Sequence, residues 1–198
     1  MTSILKTYMK IIDKMSDILG AISMYLVIIT VSIGFLNVVL RYVGQIIGVR
    51  LTSNFFIELQ WYLYSLTFFT GFSYILKEGI NVRVDFWFAD QTHKVKAWID
   101  LVGHFVGLIP FCIIGIWMTI NPVLISWGRQ FDGSWGRMEW SPDPSGLPRA
   151  PIKTIIIIAF VTLLLQAFVE VIRLIATLRD VDELMPADLR GETPIRVE

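Results

Sequence analysis

The sequence predicts an all-α integral membrane protein with four transmembrane helices. Two observations carry this prediction. Only 17% of the 198 residues are charged, whereas soluble domains usually hold about 25%. The charges also fall in short blocks between long apolar runs, and a helix of about 20 apolar residues is long enough to cross a bilayer. We therefore expect a multi-pass protein whose main surroundings are lipid.

Four apolar runs supply the predicted spans, which are residues 18–40, 55–76, 98–120 and 152–176. The first run is too long for the apolar region of a signal peptide and no small-residue cleavage site follows it, so it should be retained. The fourth is flanked by Lys153 and Arg173, whose long side chains can reach the headgroups. The whole chain is expected to form a single membrane domain.

The basic residues predict the topology. Eleven of them lie in the N-terminal segment, the second loop and the C-terminal side, against six in the first and third loops. Basic residues are enriched on the cytoplasmic side of membranes, so both chain ends should be cytoplasmic. Residues 128–151 would then form a periplasmic loop, and residues 179–198 a cytoplasmic tail.

The second loop alternates apolar and polar side chains over residues 81–90, with Asp85 near its middle. A lone strand at a membrane surface would leave its backbone groups unpaired. We therefore expect an extended entry followed by a short amphipathic helix in the interface, which ends near Lys96.

The third loop is rich in tryptophan and proline. Trp135 and Trp140 precede or border a Pro/Gly run over residues 141–148 that predicts turns. Tryptophan suits the headgroup level of a bilayer, but it is also enriched in protein-binding hot spots. Interfacial anchoring and docking of another protein both stay open, and Arg149 joins the two tryptophans as a docking candidate.

Glu58 lies about one turn inside the second predicted span, which makes it a functional candidate. Arg41 lies just past the first span on the same side of the membrane, so an ion pair between the two is the leading hypothesis. Contact of Glu58 with a neighbouring subunit, or a proton-relay or substrate role, are the alternatives.

The third span carries two further candidate features. His104 follows Asp100 by four residues, which suits a hydrogen bond near the interface or, less simply, a pH-sensitive or metal-binding pair. Gly103 and Gly107 form a small-xxx-small face for packing within this chain or for a partner helix, and Pro110 should bend the helix. On the fourth span Glu170 and Arg173 have the spacing of a helical ion pair.

Several motifs are missing from the sequence. It has no nucleotide-binding G-x-x-x-x-G-K-[ST], no HExxH and no G-x-S-x-G. The single cysteine, Cys112, excludes an internal disulfide, and the zero net charge gives no reason to expect a nucleic-acid partner. We expect no enzymatic activity and no cofactor. The few polar groups in the spans favour an accessory or scaffold role over an autonomous transporter that uses Glu58, or an electron carrier that uses Asp100 and His104.

Four segments in order resemble the small membrane subunit of tripartite ATP-independent periplasmic (TRAP) transporters. They are residues 37–42 (NVVLRY), Glu58 with the following Leu59-Gln60-Trp61, residues 81–85 (NVRVD) and residues 141–153. Asn81 stands where that family usually has histidine, so no role of that histidine carries over. The resemblance covers roughly residues 15–178 and marks Arg41, Glu58, Trp61 and Asp85 as structural or interface candidates, to which the small-residue face of the third span adds Gly103 and Gly107.

The resemblance implies a bacterial inner-membrane protein that pairs with a large multi-span subunit. That subunit would hold the substrate and sodium sites and move like an elevator. A periplasmic substrate-binding protein would deliver the solute, which is usually an organic acid such as a 2-oxo or hydroxy carboxylate. The small subunit would brace the static part of the assembly and contribute docking surface.

Overall fold

The computed structural model describes residues 2–80, 91–179, 181 and 184. Its helices in chain order are α1 (Thr2–Ile47), α2 (Asn54–Glu78), α3 (His93–Val102), a π-helical segment (Gly103–Leu108), α4 (Ile109–Ser126) and α5 (Arg149–Leu178). Among the described residues no strand forms, and two isolated β-bridges occur in one loop. The predicted all-α class is confirmed. The predicted amphipathic segment over residues 81–90, with Asp85, lies outside the described residues.

Within the described residues, three helical stretches are long and apolar enough to cross a membrane: Ser3–Ile47, His93–Ser126 and Arg149–Leu178. They correspond to the first, third and fourth predicted spans. The second prediction falls on α2, which has 25 residues and a length of about 37 Å. Its sequence mixes Glu58 and Gln60 with hydroxyls and aromatic rings, so composition alone does not mark it as a span.

Helix α1 begins earlier than the sequence indicated. The first predicted span starts at residue 18, yet residues 2–17 belong to the same helix, which has 46 residues and a length of about 69 Å. The reason is a local apolar face. Met9 and Ile12 are buried against Val169 and Ala176 of α5, so the segment gains burial by staying helical.

Helix α5 is the centre of the bundle, since every other helical element contacts it. Helix α2 runs parallel to it, because Glu58 near the start of α2 meets the residues before α5 and Leu76 near its end packs on Ala167 and Val171. Helix α1 lies antiparallel against α2, where the Ser23 hydroxyl donates to the carbonyl of Thr67 at 2.8 Å.

The third membrane helix contains one irregular turn. The N–H of Ile109 donates to the carbonyl of His104, five residues back, as in a π-helix. Pro110 follows directly and has no N–H to offer the preceding turn, which suits the expected irregularity at this point. The helix starts at His93 and runs through Lys96 without a break, so the expected end of a separate interfacial helix near Lys96 is wrong.

Candidate functional site

The loop that joins α4 to α5, residues 127–148, is folded back on itself. Two isolated bridges pair Arg129 with Trp135 and Trp140 with Pro148. Gly128 adopts a φ of +103°, and a Cβ there would come within 2.6 Å of the carbonyl oxygen of Gly136. The close backbone approach therefore requires glycine at this position.

Glu58 fastens this loop to α2. Its side chain is only 3% exposed, and its carboxylate accepts hydrogen bonds from the Ser141 hydroxyl and from the backbone N–H of Leu147. The guanidinium of Arg149 lies nearby, with Nη2 3.4 Å from the Ser141 oxygen. We call Glu58, Ser141, Leu147 and Arg149 the loop cluster.

The hypothesis of a Glu58–Arg41 ion pair is therefore wrong. Arg41 is exposed, and both carboxylate oxygens of Glu58 are used by residues of the third loop. The physical reason is the face on which Glu58 lies. It points to the start of α5, so donors 83 and 89 residues away reach it.

Two aromatic side chains of α2 add to this contact. The Arg149 guanidinium carbon lies 5.8 Å from the ring centroid of Trp61, within the range of a cation–π interaction. The Tyr62 hydroxyl donates to the carbonyl of Pro148. The structure thus brings together Glu58, Trp61 and Arg149, which the sequence had marked separately.

A second polar contact closes the base of the loop. Lys153 Nζ lies 2.7 Å from Ser126 Oγ and 2.5 Å from Glu139 Oε2, and the Ser126 hydroxyl donates to the same carboxylate. Hydrogen bonds from Lys153 and then Ser126 hold the pKa of Glu139 below its usual value. An ionised Glu139 therefore joins the end of α4 to the start of α5.

The outer surface of the loop is aromatic. Trp135 and Trp140 are exposed, as a docking or anchoring role requires, and Phe131 is fully exposed. Phe131 was not predicted, although a phenylalanine between Gln130 and Asp132 in a polar turn is the signal that could have found it.

The expected hydrogen bond between His104 and Asp100 is present in the third membrane helix, but it uses the backbone of Asp100. His104 Nδ1 lies 2.6 Å from the backbone carbonyl of Asp100 rather than from its carboxylate. In the part of the chain that the structure describes, no group of three potential metal ligands occurs. A Cβ on Gly103 or Gly107 would meet no described residue within 4 Å, so within the described part of the chain these glycines do not pack on another helix and their face is open.

A cluster of buried polar side chains joins α1 to α5. Sequence reasoning predicted only one ion pair of this cluster. The expected Glu170–Arg173 ion pair is present at 2.6 Å. Arg173 also binds Asp13 at 2.6 Å. Gln166, fully buried, donates to Asp13 at 3.2 Å and to Glu170 at 3.0 Å and accepts from Ser16 at 2.8 Å. We call these five residues the helix cluster.

Both clusters satisfy their acidic groups with donors from this chain. Each carboxylate accepts hydrogen bonds within its cluster, so neither arrangement offers an acid that is open to a solute. Their chemistry is that of fastening: the loop cluster holds a loop on two helices, and the helix cluster holds α1 on α5.

The comparisons with known proteins agree with this architecture. The family model of the DctQ component of tripartite ATP-independent periplasmic transporters matches residues 30–177. The matched region includes the whole loop cluster and the α5 part of the helix cluster. Searches of curated proteins and of solved structures gave no match.

Proposed function

Because the chain belongs to the family of DctQ components of TRAP transporters, we propose that it braces a large elevator-type membrane subunit. That subunit would take up an organic acid, driven by sodium and supplied by a periplasmic binding protein. The solute is expected to be a carboxylate, such as a 2-oxo or hydroxy acid, with its site in the large subunit.

The observation that carries this proposal is that the helices are buried to different extents within the chain. Helix α5 has a substantial buried face, whereas most of α1 and of the His93–Ser126 helix is exposed apolar surface. Large exposed apolar surfaces mark contacts with membrane or protein. An open glycine face at Gly103 and Gly107 adds a place where a partner helix can approach closely.

The chain is proposed to cross the bacterial inner membrane four times with both ends in the cytoplasm. Support for α2 as the additional span comes from its length and from its parallel packing along α5. The uneven distribution of basic residues supports the orientation. The third loop would then lie in the periplasm.

Copurification tests the brace. A mild-detergent pulldown of the chain from its native membrane should contain a large multi-span protein in equal amount. Replacing Gly103 and Gly107 by leucine should reduce that partner severalfold, because the side chains would fill the open face. The neighbouring changes Val102→Leu and Val106→Leu are the matched control and should leave the partner bound. A chain that purifies alone or only with itself contradicts the proposal.

Uptake at limiting binding protein tests the third loop. Phe131→Ala with Trp135→Ala should lower the uptake rate severalfold when binding protein is scarce, and saturating binding protein should restore it. Trp98→Ala, which removes an exposed tryptophan from the His93–Ser126 helix, is the control. Unchanged uptake at every concentration leaves the loop with membrane anchoring alone.

An autonomous transporter that uses Glu58 is the alternative, motivated by a buried acid inside a helix bundle. It requires the purified chain to transport in liposomes without a partner, and Glu58→Gln to abolish this transport while assembly persists. If the chain is a bracing subunit, the purified chain alone should not transport any solute.

A further inference from the structure

The first four turns of α1 carry two stripes on their outer face. We call residues 3–18 the N-terminal arm. Lys6, Lys10 and Lys14 are exposed and recur every four residues. Ile4, Ile11 and Ile18 are 75%, 60% and 52% exposed and recur every seven. Because a helix turns by about 100° per residue, each set forms one stripe, and the two stripes lie side by side.

The opposite face of the arm is fixed to the protein. Met9 and Ile12 are buried against α5, and Ser16 is fully buried and bonded to Gln166. The two outer stripes therefore cannot turn inward, and their exposure is imposed by the packing of the arm.

The arm packs on the second half of α5. Tyr8 donates to the carbonyl of Leu165 at 3.3 Å and Ser16 to the side chain of Gln166 at 2.8 Å. Together with the contacts of Met9, Ile12 and Asp13, these bonds place the arm beside residues 165–176 of α5. The charges of Arg173 on α5 and Lys77 on α2 place it at the interface.

The positive charges of Lys10 and Lys14 are not neutralised by the acids beside them. Asp13 is bound by Arg173 and Asp17 by Lys77. Lys10 and Lys14 form no ion pair with any residue that the structure describes. The outer face thus combines the ammonium groups of Lys10 and Lys14, which have no ion pair among the described residues, with exposed aliphatic side chains.

We propose that the N-terminal arm is a binding surface for anionic phospholipid headgroups. The lysines contact the phosphates, and the isoleucines enter the boundary between headgroups and acyl chains. Juxtamembrane lysines are attracted by an anionic leaflet strongly enough to change local binding about fivefold each. The inference rests on the proposed topology, which places the arm at the cytoplasmic leaflet.

Quenching by brominated lipids tests the proposal. The full chain, with its copurifying partners, carries a fluorophore on the thiol introduced by Thr7→Cys, between the two stripes, in a Cys112→Ala background. In nanodiscs, brominated phosphatidylglycerol should quench it more strongly than brominated phosphatidylcholine. Lys10→Gln with Lys14→Gln should lower that preference by about 5- to 25-fold. Arg50→Gln with Arg137→Gln removes the same charge from exposed residues elsewhere and should leave it within about twofold.

Three results would overturn the lipid site. They are equal quenching by both lipids in the wild type, an unchanged preference in the lysine variant, and no quenching by either lipid because an acidic protein covers the arm. A separate labelling experiment tests the proposed orientation of the chain in the membrane. In intact cells, a membrane-impermeant maleimide should not reach the introduced thiol from outside, and labelling there would refute the orientation without touching the nanodisc result.

Discussion

The two ends of the bundle hold their buried acids in different ways. In the loop cluster, one carboxylate, Glu58, is held by a hydroxyl and a backbone N–H from a loop. In the helix cluster, two carboxylates, Asp13 and Glu170, share the guanidinium of Arg173. The first end can release its loop without separating helices. The second cannot lose its cation without leaving two acids between α1 and α5.

The comparison predicts unequal costs of breaking the two clusters. Removing one partner of a buried ion pair leaves an uncompensated charge and is strongly destabilising. Removing a carboxylate that accepts from neutral donors leaves those donors unpaired, which costs less. The helix cluster should therefore be the more sensitive of the two.

The largest effect is expected at Arg173. Arg173→Met should lower the free energy of unfolding by about 3–5 kcal/mol, because it leaves Asp13 and Glu170 without their cation. The measurement is thermal unfolding of the detergent-purified protein. Arg179→Met removes an exposed arginine two turns later and is the control. Equal melting temperatures for the two variants would show that the helix cluster does not hold α1 on α5.

A smaller effect is expected at Glu58. Glu58→Leu should cost about 1–3 kcal/mol, because the Ser141 hydroxyl and the Leu147 N–H lose their acceptor. Hydrogen exchange of the backbone amides in residues 141–147 should accelerate with it, while exchange in α1 stays unchanged.

A double-mutant cycle sharpens the same point. Glu58→Gln and Ser141→Ala should couple by at least about 0.5 kcal/mol, whereas Glu58→Gln and Arg41→Gln should add within about 0.3–0.5 kcal/mol. The reverse outcome would restore the ion pair that the sequence suggested.

The smallest effect is a local response to acid at Glu139. Since the pKa of this carboxyl is lowered in the folded protein, its ionised form stabilises the loop at any pH above its unfolded pKa of about 4.3. That contribution is lost as the pH falls through the folded pKa. Exchange in residues 126–139, corrected for intrinsic rates, should therefore be flat from neutral pH to about 5 and rise below about 4. Glu139→Gln should remove the step, and a step that persists would assign it to another group.

Sequence reasoning found the features that depend on near neighbours. The apolar runs gave three spans that the structure supports, and the three-residue spacing of Glu170 and Arg173 gave their ion pair. It missed the partners of Glu58 and Gln166, because those contacts join residues far apart in the chain and depend on which helices are adjacent. Gln166, a lone amide in an apolar run, was the available signal for the helix cluster.

The N-terminal arm shows a second limit. Its apolar residues are split between one face that packs on α5 and another that is exposed. A search for uniformly apolar runs therefore starts the helix about sixteen residues too late. The correct start is set by tertiary contact with α5 and not by the composition of the segment.

The π-helical segment Gly103–Leu108 changes the angular phase of the third membrane helix. Ala97 and Ile109 are both buried and are twelve residues apart. In a regular α-helix their side chains would point in directions about 120° apart around the helix axis. The wider π-helical turn accommodates one extra residue. The angle between the two side chains around the helix axis therefore falls to about 20°, and both lie on the same side of the helix. Shortening the segment by one residue, for example by deleting Val106, should thus yield an unbroken α-helix with both ends still aligned. Adding a residue to α3 or α4 would turn one half of the helix away from α5.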